Sequence, residues 1–255
     1  MSLKEEEEVA GMEEELRPVN PGWSVLEALS VIIIVFAAGI FIPFKKMSWF
    51  KFLAALVSPD NPLLGQVFWS GIVQGGLFIA LIAYFLRRRY DLPWSRVGLI
   101  SDEEKRWFWT GLKQGVVLFI LVVILGIIIT ILFPIKVEPQ PIAEIIMSAR
   151  SFREMLLPLF VAAVMAPISE ELYFRGFLYP ALKNWLGRIP ALLIASSFFG
   201  LVHFDLIRFI PITLGGIWLT LLYEQTGSLY TSITAHAVWN TLMVLLIFWG
   251  ANIGA

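Results

Sequence analysis

Cysteine is absent from the 255 residues, and histidine occurs only twice, at His203 and His236. The first absence removes disulfides, thiolate metal sites and cysteine nucleophiles together. The second leaves carboxylates, two imidazoles, hydroxyls and amides as the groups available for chemistry. Charge is scarce too: Asp, Glu, Lys and Arg make up 15% of the chain, against about 25% in an ordinary globular domain. The formal net charge of −1 lacks the basic excess that a nucleic-acid partner selects, so none is expected. What the chain has in abundance is apolar residues, 58%, with a mean hydropathy of +0.78. They fall in long unbroken runs, which makes the bilayer the expected solvent and membrane lipids the expected neighbours.

The first twenty residues are acidic, with Glu5 to Glu8 and Glu13 to Glu15. A secretory signal needs a basic start followed by an apolar stretch. Residues 1–22 therefore read as a solvated, disordered tail, and residues 23–255 as one all-α, polytopic transmembrane bundle. Apolar spans are expected at 23–44, 65–86, 107–133, 156–182, 189–206, 209–223 and 229–249, seven in all, with six to eight as the range. Residues 45–63, with Lys45, Lys46, Lys51 and the turn Pro59-Asp60-Asn61-Pro62, read as a loop or interfacial segment. Residues 142–154 read as a short surface helix. The fifth and sixth spans are short, and Asp205, Arg208 and Pro211 lie between them. A broken helix pair or a re-entrant feature is the alternative there. The triplet Arg87-Arg88-Arg89 and most other basic residues near span ends fall on the side of the N-terminus. The expected product is a multi-pass protein of the cell membrane with its N-terminus in the cytoplasm.

Ionisable residues at membrane depth are costly and face a protein interior or a wet cavity. Glu170, Glu171 and Arg175 lie in the fourth span, His203 ends the fifth, and His236 with Asn240 lies in the seventh. Glu170 is 17 residues before Gly187 and His203 is 16 after it. Both then sit about 25 Å from that turn, so an antiparallel hairpin brings them level. His236 and Asn240 share a helical face. His236 is only nine residues past Gly227, so tilt or a kink has to supply about 10 Å. Each residue also has a plainer reading. Glu171 and Arg175, four apart, are explained by an interior ion pair that holds helices in register. A buried histidine is commonly a packing residue. Phe199, one turn before His203, sets the face of that imidazole by packing. Gly75-Gly76 and Gly215-Gly216 permit close helix contacts.

Three motifs occur in order on successive spans. Glu170-Glu171-Leu172-Tyr173-Phe174-Arg175 has the form EExxxR, Phe199-Gly200-Leu201-Val202-His203 the form FxxxH, and His236-Ala237-Val238-Trp239-Asn240 the form HxxxN. In this order they resemble the CPBP family of CaaX proteases and bacteriocin-processing enzymes, also called Abi, and in particular its type II CaaX prenyl endopeptidases. The resemblance covers about residues 162–246. It implies an intramembrane cavity in which a peptide bond is hydrolysed, with a peptide or prenylated protein as substrate. It implies that Glu170 and His203 activate a water, that His236 and Asn240 stabilise the oxyanion, and that Glu171, Arg175 and Phe199 support them.

The chemistry is reasonable without the name. Water must be the nucleophile in a chain without cysteine or a Ser–His arrangement at sensible spacing, and general-base help is worth roughly 10²–10⁴-fold. No cofactor is favoured. The alternative is zinc on Glu170, His203 and His236, since two His and a Glu form a known catalytic set, although no His-Glu-x-x-His motif occurs. Two other classes stay open: a noncatalytic, immunity-type protein that binds a membrane peptide, and an ion-coupled transporter. The transporter would be accompanied by internal repeats, and none is visible.

Overall fold

The structure, a computed structural model, describes residues 20–101, 105–133, 139–149 and 151–253. The acidic stretch up to Val19, and with it most of the expected disordered tail, lies outside the described residues, as does Pro134. The first element is α1, Val25–Phe41. It begins where Ser24 and Glu27 form a reciprocal cap: the Ser24 hydroxyl accepts from the Glu27 N–H, and the Glu27 carboxylate accepts from the Ser24 N–H. A 3-10 turn, Phe44–Lys46, leads into α2, Ser48–Val57. The expected loop or interfacial segment therefore carries a helix.

Next come α3, Pro62–Ala83, prolonged by a π turn to Arg89; α4, Arg106–Leu132; and α5, Pro141–Ser148. The longest helix, α6, runs over Phe152–Leu186 and includes two π segments, Val161–Met165 and Leu172–Leu178. The last three are α7, Arg188–Leu201; α8, Phe209–Thr226; and α9, Leu229–Ile253. No strand occurs among the described residues.

The fold is an all-helical, polytopic membrane bundle. Five stretches are long and apolar enough to cross a bilayer: Val25–Lys46, Pro62–Arg89, Arg106–Leu132, Phe152–Leu186 and Leu229–Ala251. All seven expected apolar segments are helical, but the fifth and sixth differ from the rest. α7 has only 14 residues, short of the roughly 20 needed to span alone. α8 has 18, with Glu224 near its end, and neither helix is among the five. The apolar run breaks at residues 202–208, where the chain turns around Asp205. That side chain accepts from the Ile207 and Arg208 N–H groups and closes the turn that leads into α8.

α6 is the central element. Every residue from Leu172 to Leu178 is buried, against Ala28, Val31 and Val35 of α1, Phe78 and Ile82 of α3, and Ala191 and Ala195 of α7. α4 packs along α9 on a glycine face. A Cβ at Gly111 would come within 2.6 Å of Thr234, and one at Gly115 within 2.5 Å of the Ala235 carbonyl oxygen. Without a hydrophobic drive between helices in lipid, such close backbone approach is what holds them. The other face of α4 leaves Ile120, Ile124 and Ile128 uncovered by protein.

Candidate active site

The local construction of α6 begins with proline. In the π segment the Ala166 N–H bonds to the Val161 carbonyl, and the next N–H would reach the Ala162 carbonyl. Residue 167 is proline and has none. The freed oxygen is satisfied from another helix: Asn240 Nδ2 of α9 donates to it at 2.7 Å. A buried carbonyl needs a partner, and here the partner is a residue of the HxxxN motif. Isolated π turns occur often at functional sites.

One turn further along α6 sits a charged cluster in the protein interior. Glu171 and Arg175 have side chains 0% and 1% exposed, and Arg175 donates to the Glu171 Oε1 at 2.6 Å. The guanidinium also donates to the Gly216 carbonyl at 2.9 Å and to the Thr220 hydroxyl at 3.3 Å, both on α8. Its Cζ lies 4.5 Å from the centre of the Phe199 ring on α7, a cation–π contact. The same Glu171 oxygen accepts from His236 Nδ1 at 2.8 Å. Four helices thus meet at one ion pair. A second consequence concerns the imidazole: with Nδ1–H given to a carboxylate, Nε2 is the atom left for other partners.

His203 is oriented the same way. Its Nδ1 lies 2.8 Å from the Phe199 carbonyl oxygen, so Nδ1 carries the proton and Nε2 is left. Phe199 is 1% exposed, and its ring meets His203 at 5.0 Å and His236 at 5.8 Å between centroids. Glu170, whose side chain is 27% exposed, brings an oxygen to 3.9 Å from His236 Nε2. That is too long for a direct hydrogen bond and suits one bridging water.

Glu170, His203, His236 and Asn240 all line one cavity of about 680 Å³, with Phe199 and Trp239. The rest of the wall is mainly apolar, from Val122, Val123 and Ile127 of α4 to Val244 and Ile247 of α9. All seven site residues expected from the motifs are therefore in this cavity or directly behind it. The depth mismatch expected for His236 is absent, and the reason lies in the turns. The expectation placed Gly187 and Gly227 at one depth. In the fold Leu229 packs beside Gly176, eleven residues before Gly187, so the second turn lies about 16 Å deeper along α6.

Several participants were not expected. Trp239 lies against His236, centroids 5.5 Å apart. The Ala162 carbonyl holds Asn240, and its signal was Pro167. Gln140 and Arg208 are further polar residues on the cavity wall, and both bind Asp205. Partial burial pushes the Asp205 carboxyl up, but the Arg208 N–H, its guanidinium and the Gln140 amide hold it net below the ordinary carboxylate value. Asp205 ahead of Arg208 is legible as a turn residue, since an aspartate accepts from backbone N–H groups two and three positions on. Among the described residues no three His, Asp or Glu side chains come together as a metal-ligand set. Glu170, His203 and His236, the set expected for zinc, share the cavity without converging as a ligand set in this structure.

A polytopic helical membrane protein with a polar, histidine- and carboxylate-lined cavity in its interior is the class that fold and site define. Residues 152–242, which contain all three motifs, match the family model described as type II CAAX prenyl endopeptidase Rce1-like. Over 238 residues, 88% of each chain, the protein is 29% identical to a Bacillus subtilis (strain 168) protein named "Putative membrane peptidase YdiL". No solved structure matches. The resemblance to the CPBP (Abi) family holds in these comparisons, which together with the apolar spans support a membrane protease.

Proposed function

We propose that the protein is an intramembrane endopeptidase that hydrolyses a peptide bond with a water activated by Glu170 and His203. The observation that carries this reading is the single cavity in which Glu170, His203, His236 and Asn240 meet, with His236 Nε2 3.9 Å from a Glu170 oxygen. Glu170 takes a proton from the water as it attacks the substrate carbonyl, with His203 Nε2 as a second acceptor. The oxyanion then receives hydrogen bonds from Asn240 and His236. Asn240 Nδ2 has two hydrogens; one goes to Ala162, and the other remains. For His236 to donate from Nε2 while Nδ1–H stays on Glu171, the ring must carry both protons, and Glu171 faces the resulting charge. One well-aimed oxyanion donor is worth roughly 10²–10³-fold. Collapse of the tetrahedral intermediate returns the proton from Glu170 to the departing amine.

The substrate class that goes with this reading is a membrane-bound peptide or prenylated protein cleaved near its C-terminus, processed in the cell membrane by a protein whose N-terminus is cytoplasmic. No cofactor enters the reaction. The test is incubation of the purified protein with a library of prenylated and unprenylated CaaX peptides, with cleavage sites read by mass spectrometry, with and without a strong chelator. Specific cleavage that survives the chelator is expected. Absence of cleavage in every lipid environment tried counts against a protease. Loss of activity to the chelator, restored by zinc, replaces the water-activating pair with a metal.

A further inference from the structure

A second cavity, of about 490 Å³, lies away from the catalytic residues, between α1, α3 and the 3-10 turn. Its size is that of a small-ligand site, about 300–1,000 Å³. Its apolar wall includes Val35 and Phe36 of α1 and Val73 and Leu77 of α3. Four polar residues interrupt that wall. Lys45 and Lys46 of the 3-10 turn stand at the end of the α1 span, and Ser70 and Gln74 lie one turn apart on α3.

None of the four has a hydrogen-bond or ion-pair partner among the described residues, and no acidic side chain lines the cavity. Gln74 is the telling one. It lies twelve residues into α3, about 18 Å along the helix, and a helical side chain leans back toward the helix start, here the lysine end, so its amide stands below the two lysines in the apolar part of the span. There its amide is exposed rather than packed. An unpartnered amide at that depth is expensive, and a ligand that supplies acceptors removes the cost. Charge at the mouth, hydrogen-bond donors on the wall and apolar side chains alongside follow the order of a phosphate, its glycerol esters and an acyl chain. Two lysines without a counter-ion select a lipid of net negative charge over a zwitterionic one.

We infer that this cavity is a binding site for one anionic diacyl phospholipid, with Lys45 and Lys46 on the phosphate and Ser70 and Gln74 donating to the ester region. The site is separate from the catalytic cavity and does not depend on the proposed peptidase activity.

The experiment uses the full chain in nanodiscs of phosphatidylcholine with a minor fraction of phosphatidylglycerol, and counts lipids retained on release into native mass spectrometry. One phosphatidylglycerol per chain is expected in preference to phosphatidylcholine. The Lys45→Ala/Lys46→Ala double variant should lower that retention by roughly tenfold or more. Gln74→Leu, which suits the lipid-facing surface and should fold, should lower it too. Lys51→Ala, in the neighbouring α2 but outside the cavity wall, should leave it unchanged. Equal retention by the double variant overturns the inference. So does equal retention of both lipids by the wild type. Displacement by millimolar glycerol phosphate would make the site one for a soluble phosphate and overturn it as well.

Discussion

Glu170 and Glu171 are chemically identical neighbours with opposite surroundings. Glu171 is fully buried against Arg175 and His236, whereas Glu170 reaches the cavity with 27% of its side chain exposed. Their substitutions should therefore fail differently. Glu170→Gln keeps size and hydrogen-bonding capacity and removes the proposed base, so turnover should fall by at least ~10²-fold with the melting temperature unchanged. Retained activity in a monodisperse sample would exclude Glu170 as the base. Arg175→Ala strands a buried carboxylate and typically costs about 3–5 kcal/mol. It should lower the melting temperature together with activity, and an unchanged melting temperature would refute the structural role. The register ion pair was legible as an i, i+4 spacing. That Glu171 also orients His236 was not, because no spacing within one helix reveals a partner 65 residues away.

At the level of elements, long apolar runs predict the helices well, since a bilayer leaves the backbone few other ways to satisfy itself. They predict less well where a run is short: α7 and α8 are helices that pack one face on the bundle, at lengths near or below what a span requires. The depth of His236 was not legible, because hydropathy does not record how far each turn protrudes. The α4–α9 seam was equally silent, since Gly111 and Gly115 are two glycines among 19. It carries a clear expectation. A side chain at Gly115 meets the Ala235 carbonyl, next to His236, so Gly115→Val should cost about 1–3 kcal/mol from overpacking and displace the imidazole. Gly76 has nothing within 4 Å of the place a Cβ would take. It should accept alanine with a change within about 0.5 kcal/mol. Thermal melts of the two variants in one detergent decide the point.

At the scale of the molecule, the orientation of the helical bundle in the membrane can be read directly, because a chain without cysteine gives any introduced thiol a unique label. With the N-terminus in the cytoplasm, a cysteine replacing Lys46 should react with an impermeant maleimide added outside intact cells, and one replacing Arg88 only after lysis. The reverse pattern would invert the proposed topology. The bond from Asn240 to the Ala162 carbonyl also has a meaning for how substitutions combine. It spans 78 residues of chain and exists because Pro167 brings no hydrogen of its own. Restoring that hydrogen with Pro167→Ala lets α6 close on itself and releases Asn240, although no atom of residue 167 needs to touch the amide. Pro167→Ala and Asn240→Ala should then be strongly non-additive: once the first is made, the second removes far less activity than it does alone. Two residues that look unrelated in the chain behave as a single heritable unit.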